Sequence, residues 1–151
     1  MIRFIVISFL FLSTSMFSQN KEEIAIKKTI ELFFEGLQNG DTVTLNKALY
    51  KDFKLQSVYT KAEGIAVLRD ESKSDFLKAI SVKNPNDIWQ EKLVSFTINI
   101  DGAMAHVWTP YTFYFNNKLS HCGVNSFQLF KNNDSWLIIY IIDTRKKGCE
   151  N

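Results

Sequence analysis

HCGVNSFQLFKNNDSWLIIYIIDTR, residues 121–145, reads as the greater part of two long strands rich in aromatic and β-branched residues, with a polar turn around Asn132 to Ser135. Working back from it, Lys118–Lys131 is preceded by Ala103–Phe115 through the turn Asn116–Asn117, and that strand by Ile88–Ile100 through Asp101–Gly102. The last part of the chain is therefore predicted as four consecutive antiparallel strands. Their register follows from the turns: Ile100 opposite Ala103, Phe115 opposite Lys118 and Lys131 opposite Trp136, provided no bulge intervenes.

Upstream of the strands the period changes from two to that of a helix. From Lys21 to Leu37 the apolar residues Ile26, Ile30, Phe33, Phe34 and Leu37 fall on one face, with Lys27, Lys28, Glu31 and Glu35 largely outside it. Asn39 and Gly40 stop this helix, and Asp41 caps a short second helix through Tyr50. Phe53 to Thr60 alternates as a strand, Ile65 to Arg69 is a second short one, and Ser74 caps a third helix carrying Phe76, Leu77 and Ile80. The whole is an α+β domain without repeats.

The pairing sorts residues into two faces. One collects Val94, Val107, Tyr111, Phe113, Val124, Leu137, Ile139 and Ile141, and among these apolar residues stand Thr109, Cys122, Ser126, Gln128, Asp143 and Arg145. Converging polar groups in an apolar surface suit a small-molecule pocket. They equally suit a set of satisfied polar groups, with Asp143 and Arg145 as an ion pair at the sheet's end. The other face holds His106, Trp108, His121, Asn125, Phe127, Trp136, Ile138 and Tyr140; Trp108, Phe127 and Tyr140 would make it an interaction patch.

At the N-terminus Arg3 precedes an apolar run from Phe4 to Leu12 and the small residues Ser13, Thr14 and Ser15, the order of a secretory signal peptide over residues 1–19. About nine apolar residues span only about 14 Å as a helix, against a hydrocarbon core of roughly 30 Å. Export without a stable membrane anchor is expected, with residues 20–151 as one domain. Without Arg3 the chain is close to neutral, which gives no sign of nucleic-acid binding. An oxidising compartment permits Cys122 and Cys149 to pair, closing a loop of about 27 residues and adding about 3 kcal/mol; two free thiols are the alternative. His121 and Cys122 are adjacent and point to opposite faces of a strand, which disfavours a nucleophile and base pair. No metal-ligand spacing, phosphate-binding glycine loop, dinucleotide fingerprint or serine-hydrolase elbow is present, so no cofactor is expected.

The element order, together with GLQNGDTVTLNKALYKDF (36–53) and the hairpin quoted above, resembles the nuclear transport factor 2-like (SnoaL-like) superfamily, and within it the exported lumazine-binding-like branch of unknown function. The resemblance spans nearly all of residues 20–151. It implies a cone-shaped, curved, largely antiparallel mixed sheet packed on N-terminal helices, and a homodimer formed through the sheet. It also implies a pocket for a small aromatic or anionic molecule, to which Tyr111, Ser126, Gln128, Asp143 and Arg145 would contribute. The superfamily holds binders beside cofactor-independent isomerases and dehydratases. If the pocket were that of such an enzyme, or of a hydrolase, Asp143 would be the base and Tyr111 the donor to a developing oxyanion, although Arg145 would weaken Asp143 as a base. A structural module acting through its outer sheet face is a third reading.

Overall fold

At the end of the first helix, Gly40 takes φ +70° and Asp41 turns back onto the second. The Asp41 carboxylate accepts from the backbone N–H groups of Val43 and Thr44 at 2.9 and 3.0 Å and from the Thr44 hydroxyl at 2.6 Å. Gly36 lets the two helices touch: a Cβ there would lie 2.5 Å from the Leu45 nitrogen.

The structure, a computed structural model, describes the backbone of residues 2–149 and the side chains of residues 19–149. The signal-peptide reading rests on side chains that lie outside the described ones. Elements run α1 (Ile2–Asn39), α2 (Thr42–Ala48), β1 (Leu49–Thr60), β2 (Ala66–Glu71), α3 (Lys73–Ser81), β3 (Trp89–Leu93), β4 (Thr97–Asp101), β5 (Met104–Phe115), β6 (Lys118–Asn132) and β7 (Ser135–Arg145). Helix α2 ends at Ala48, short of Tyr50, because Leu49 already joins β1 and buries its side chain. Ser72, not Ser74, caps α3: its hydroxyl accepts from the Asp75 N–H at 3.1 Å, which turns Phe76 and Ile80 inward. Among the described residues no helix is long and apolar enough to cross a membrane.

The architecture is α+β. Seven strands form a curved, open sheet in the order β2-β1-β7-β6-β5-β3, with β4 also on β5; only β1 and β7 pair in parallel. The inner face packs on α1 and α2 around Ile26, Ile30, Phe33, Phe34, Leu45, Val107, Phe127, Leu129 and Ile138. Glu22, midway along α1, ties that helix to the last hairpin, accepting from Lys131 Nζ at 2.7 Å and Trp136 Nε1 at 2.8 Å.

Three irregularities overturn part of the expected face assignment. The expected strand Ile88–Ile100 is two strands: Leu93 pairs with Tyr111 but Thr97 with Trp108, which inserts one residue. Trp89, Glu91 and Leu93 consequently face inward with Ile98 and Ile100, while Val94 is 69 % exposed. On β6, Phe113 pairs with His121 and Tyr114 with Leu119, leaving Ser120 as the extra residue. That bulge turns His121, Asn125, Phe127 and Leu129 inward and Cys122, Val124, Ser126 and Gln128 outward. On β7, Leu129 pairs with Ile138 and Gln128 with Tyr140, so Ile139 is extra. Trp136 and Ile138 are buried in place of Leu137 and Ile139, and the second reversal returns Ile141, Asp143 and Arg145 to the inner side.

Beyond β7 the chain keeps contact with β6 through a Cys122–Lys146 bridge and then turns at Gly148, with φ +82°. Cys149 is disulfide-bonded to Cys122, with Cα atoms 5.9 Å apart and a sequence separation of 27. Substituting Cys149→Ser is expected to cost about 3 kcal/mol by chain-entropy reasoning. Urea denaturation reads this directly: the two proteins should differ without reductant and converge with it, and equal midpoints without reductant would contradict a stabilising bond.

Candidate functional site

The inner sheet face, α1 and α3 enclose a cavity of about 400 Å³, within the range of small-molecule sites. Its apolar wall comes from Phe33, Phe34 and Leu37 on α1, Phe76 and Ile80 on α3, and Trp89, Phe113, Phe115 and Ile141 on the sheet. Its polar groups fall into two clusters of different character.

Asp143 centres the first cluster and is buried. The Ser57 hydroxyl from β1 donates to its Oδ1, Arg145 Nε donates to Oδ2 at 2.8 Å, and the Tyr111 hydroxyl lies 3.3 Å from Oδ2. The Tyr111 hydroxyl is closer to the Thr144 carbonyl, at 3.0 Å. Gly123 opens the space for that contact, since a Cβ there would sit 1.7 Å from the Thr144 oxygen and 3.0 Å from the Tyr111 ring. Burial, then the charges of Asp143 and Glu91, push the Tyr111 phenol above its ordinary range, so it stays protonated. Arg145 leaves this cluster toward solvent, with 46 % of its side chain exposed.

Glu91 and Asn125 make the second cluster. They come from β3 and β6, on either side of β5, and Asn125 Nδ2 donates to Glu91 Oε1 at 2.7 Å. Burial pushes the Glu91 carboxyl up to about 7, and Asp143 adds to the rise while Asn125 and Arg145 oppose it. His121 stands nearby, partly buried, its ring centroid 4.9 Å from that of Phe113 and 5.7 Å from that of Tyr111. Burial first, and Arg145 second, hold its imidazole below the usual histidine range.

Of the residues singled out in the sequence, Tyr111, Asp143 and Arg145 meet in the cavity. Ser126 and Gln128 do not, because the Ser120 bulge places them on the outer face, where Ser126 lies 3.1 Å from His106 Nε2. Phe127, expected on the outer patch, is fully buried, while Trp108 is 47 % exposed opposite Ser126, on the face that also carries Met104 and Phe130. Tyr140 is outward and donates to Gln56 of β1. Glu91 and Asn125 escape a reading by alternation because each lies past a register shift. An acidic residue between Trp89 and Leu93 is their one local signal.

The profile of the putative lumazine-binding family matches residues 21–140. The chain belongs to that family. It is a lumazine-binding-like member of the nuclear transport factor 2-like (SnoaL-like) superfamily, and solved structures agree on the fold. A nuclear transport factor 2-like protein of unknown function from Shewanella baltica aligns with TM-score 0.63 and 16 % identity, over 85 % of this chain and 96 % of its own. A putative dehydratase of the same superfamily from Streptomyces avermitilis gives 0.66 and 13 %, over 86 % and 99 %. A protein with a cystatin-like fold from Novosphingobium aromaticivorans gives 0.68 and 11 %, over 90 % and 89 %. No curated protein matches the chain.

In this lumazine-binding-like domain the Glu91 carboxyl has a stability consequence. Its folded-state value lies above its unfolded one, near 4.5, so the folded form binds the extra proton between about pH 4.5 and 7. Stability from this group is complete below that window and is lost as pH rises through it. Glu91→Gln keeps the acceptor for Asn125 and removes the charge. Its denaturation free energy relative to wild type should therefore increase from pH 4.5 to 7 and level above about 7; a pH-independent difference would contradict the assignment.

Proposed function

We propose that this domain acts outside the cytoplasm as a binding protein that holds a small planar aromatic molecule in the cavity. The observation that carries this reading is the wall of aromatic rings closing on the Glu91–Asn125 pair, in which, among the described residues, the second Glu91 oxygen and part of the Asn125 amide have no partner and can meet a ligand's polar edge. Of the two ligand characters implied by the sequence, the aromatic one is better supported. Glu71, Glu91 and Asp143 share the lining with only Arg69 and Arg145, and Asp143 already takes up Arg145, so a free anion gains little there. The same engagement counts against Asp143 as a catalytic base, since donors occupy both of its oxygens. The support for export is the order of residues 3–15 together with a disulfide that suits an oxidising compartment.

Lumazine is a suitable probe, being a small planar heterocycle of the size the cavity admits. Titration is expected to quench tryptophan fluorescence saturably through Trp89, and Trp89→Phe should lose most of that response while Trp108 and Trp136 remain. No saturation with lumazine, combined with no co-purifying small molecule in the native mass spectrum of protein from its own host, would sink the binding reading.

The outer face favours a second proposal, self-association. Met104 and Phe130 are directly paired and exposed, and Trp108 lies on the same face of β5. Sedimentation velocity at micromolar concentration is expected to give a dimer that Trp108→Lys dissociates. A wild-type monomer would exclude it.

A further inference from the structure

The strand pairing gathers one end of the sheet around the opening of the cavity. β1 and β7 run in parallel and finish side by side, Tyr59 beside Arg145, and β6 starts there through the Cys122–Lys146 bridge. β5 ends and β3 begins at the same end, where Trp89 pairs with Phe115 and Phe115 with Lys118. Phe115 and Arg145 line the cavity and also reach solvent, Phe115 being 42 % exposed and the Arg145 side chain 46 %, so the hollow opens here.

The rim of that opening is both apolar and basic. Ile65, Ile88, Phe115 and Leu119 are exposed on the turns and strand ends that form it, a grouping of large apolar side chains that ordinarily marks a contact surface. Around them stand the exposed Lys61, Lys118, Lys146 and Lys147. The Cys122–Cys149 bond and the backbone pairing of Cys122 with Lys146 hold Lys146 and Lys147 beside the start of β6, so the basic run is a fixed part of the rim. Arg145 adds little charge, because Asp143 holds it. The acidic groups set among these lysines, among the described residues, are Glu63 in the β1–β2 turn and Asp87, whose Oδ1 accepts from Asn116 Nδ2 at 3.1 Å. At the opposite end of the sheet the hairpin turns carry Asp101 and Asp134 instead.

We infer that this end is a membrane-docking surface, which rests on a bilayer containing anionic phospholipids with the mouth of the cavity turned toward the lipid. The apolar side chains of the rim enter the interface, and the lysines lay their alkyl stems along it while their ammonium groups meet lipid phosphates. Lysines alone would be screened at physiological salt, and the apolar area alone is small; burial and charge attraction add at the same surface. In this pose a planar aromatic molecule passes between bilayer and cavity without crossing water. That consequence rests on the binding reading, whereas the docking does not and is measured without a ligand.

Flotation with vesicles of phosphatidylcholine, with and without phosphatidylglycerol, tests this on protein purified from its own host. The protein is expected to float with the mixed vesicles and not with phosphatidylcholine alone, and to bind less as salt is raised. Lys146→Gln combined with Lys147→Gln should weaken binding about 20-fold, since each lysine at an anionic surface strengthens it about fivefold. Lys51→Gln combined with Lys54→Gln, exposed on the first half of β1, should leave it unchanged. In Leu119→Trp, lipids brominated in their acyl chains should quench the added indole. Urea midpoints measured alongside show that the variants are folded. Absence of flotation, equal flotation with neutral vesicles, equal loss in the two lysine pairs, or an added indole that is not quenched overturns the inference. Retention on heparin that persists in Leu119→Ser, with no flotation, assigns the rim to a soluble polyanion and overturns it as well. In every case the lumazine titration decides the binding reading separately.

Discussion

A β-strand reverses the direction of its side chains at every residue, so each inserted residue exchanges the two faces of everything beyond it. This protein's inner surface depends on three such insertions, between Leu93 and Thr97, at Ser120 and at Ile139. The first brings Trp89 and Glu91 to the helices, and the second brings His121, Asn125 and Phe127. The third restores Asp143 and Arg145 to the side that Tyr111 occupies. Core and cavity are both consequences of where those extra residues fall: Phe127 packs against Phe33 and Phe34, with ring centroids 6.0 Å from each, only because β6 is turned.

The same constraint divides the polar groups by strand. β1, β5 and β7 contribute Ser57, Tyr111, Asp143 and Arg145, which satisfy one another and hold the sheet's end together. β3 and β6 contribute Glu91 and Asn125, which do so only in part. Buried polar groups in a stable fold are ordinarily saturated, so a partly saturated pair in an aromatic hollow is a departure that a ligand can make good. Saturated and partly saturated polar groups thus lie side by side in one cavity and are told apart by counting donors.

Local signals account for what the sequence disclosed. The period of Ile26, Ile30, Phe33 and Phe34 marked α1, Asp41 marked the start of α2, and Asn116–Asn117 placed a tight turn, where both asparagines adopt positive φ. Such features need only neighbouring residues. Face assignment is different, because a bulge is fixed by how two strands fit over their whole length, and nothing in SHCGV or LIIYI announces it. Asp143 and Arg145 were legible because the reversals at Ser120 and Ile139 cancel for the end of β7. Ser126, Gln128 and Phe127 lie between those two insertions, where alternation counted from the turns gives the wrong side. Glu91 lies beyond the first irregularity, so alternation counted from the Asp101–Gly102 turn does not bring it to the inner face.

Gly123 has a bearing on how relatives of this chain can be sorted. A Cβ there would fall 1.7 Å from the Thr144 carbonyl oxygen, so any side chain would force the two strands apart, and the space it leaves is where the Tyr111 hydroxyl meets that carbonyl. A tyrosine and a glycine facing each other across β5 and β6 are therefore a pair whose joint presence can be read from a sequence alone. At 10–16 % identity to solved structures, where whole-chain similarity distinguishes little beyond architecture, that two-residue mark offers a way to pick out chains built around the same polar centre from those that share only the outline.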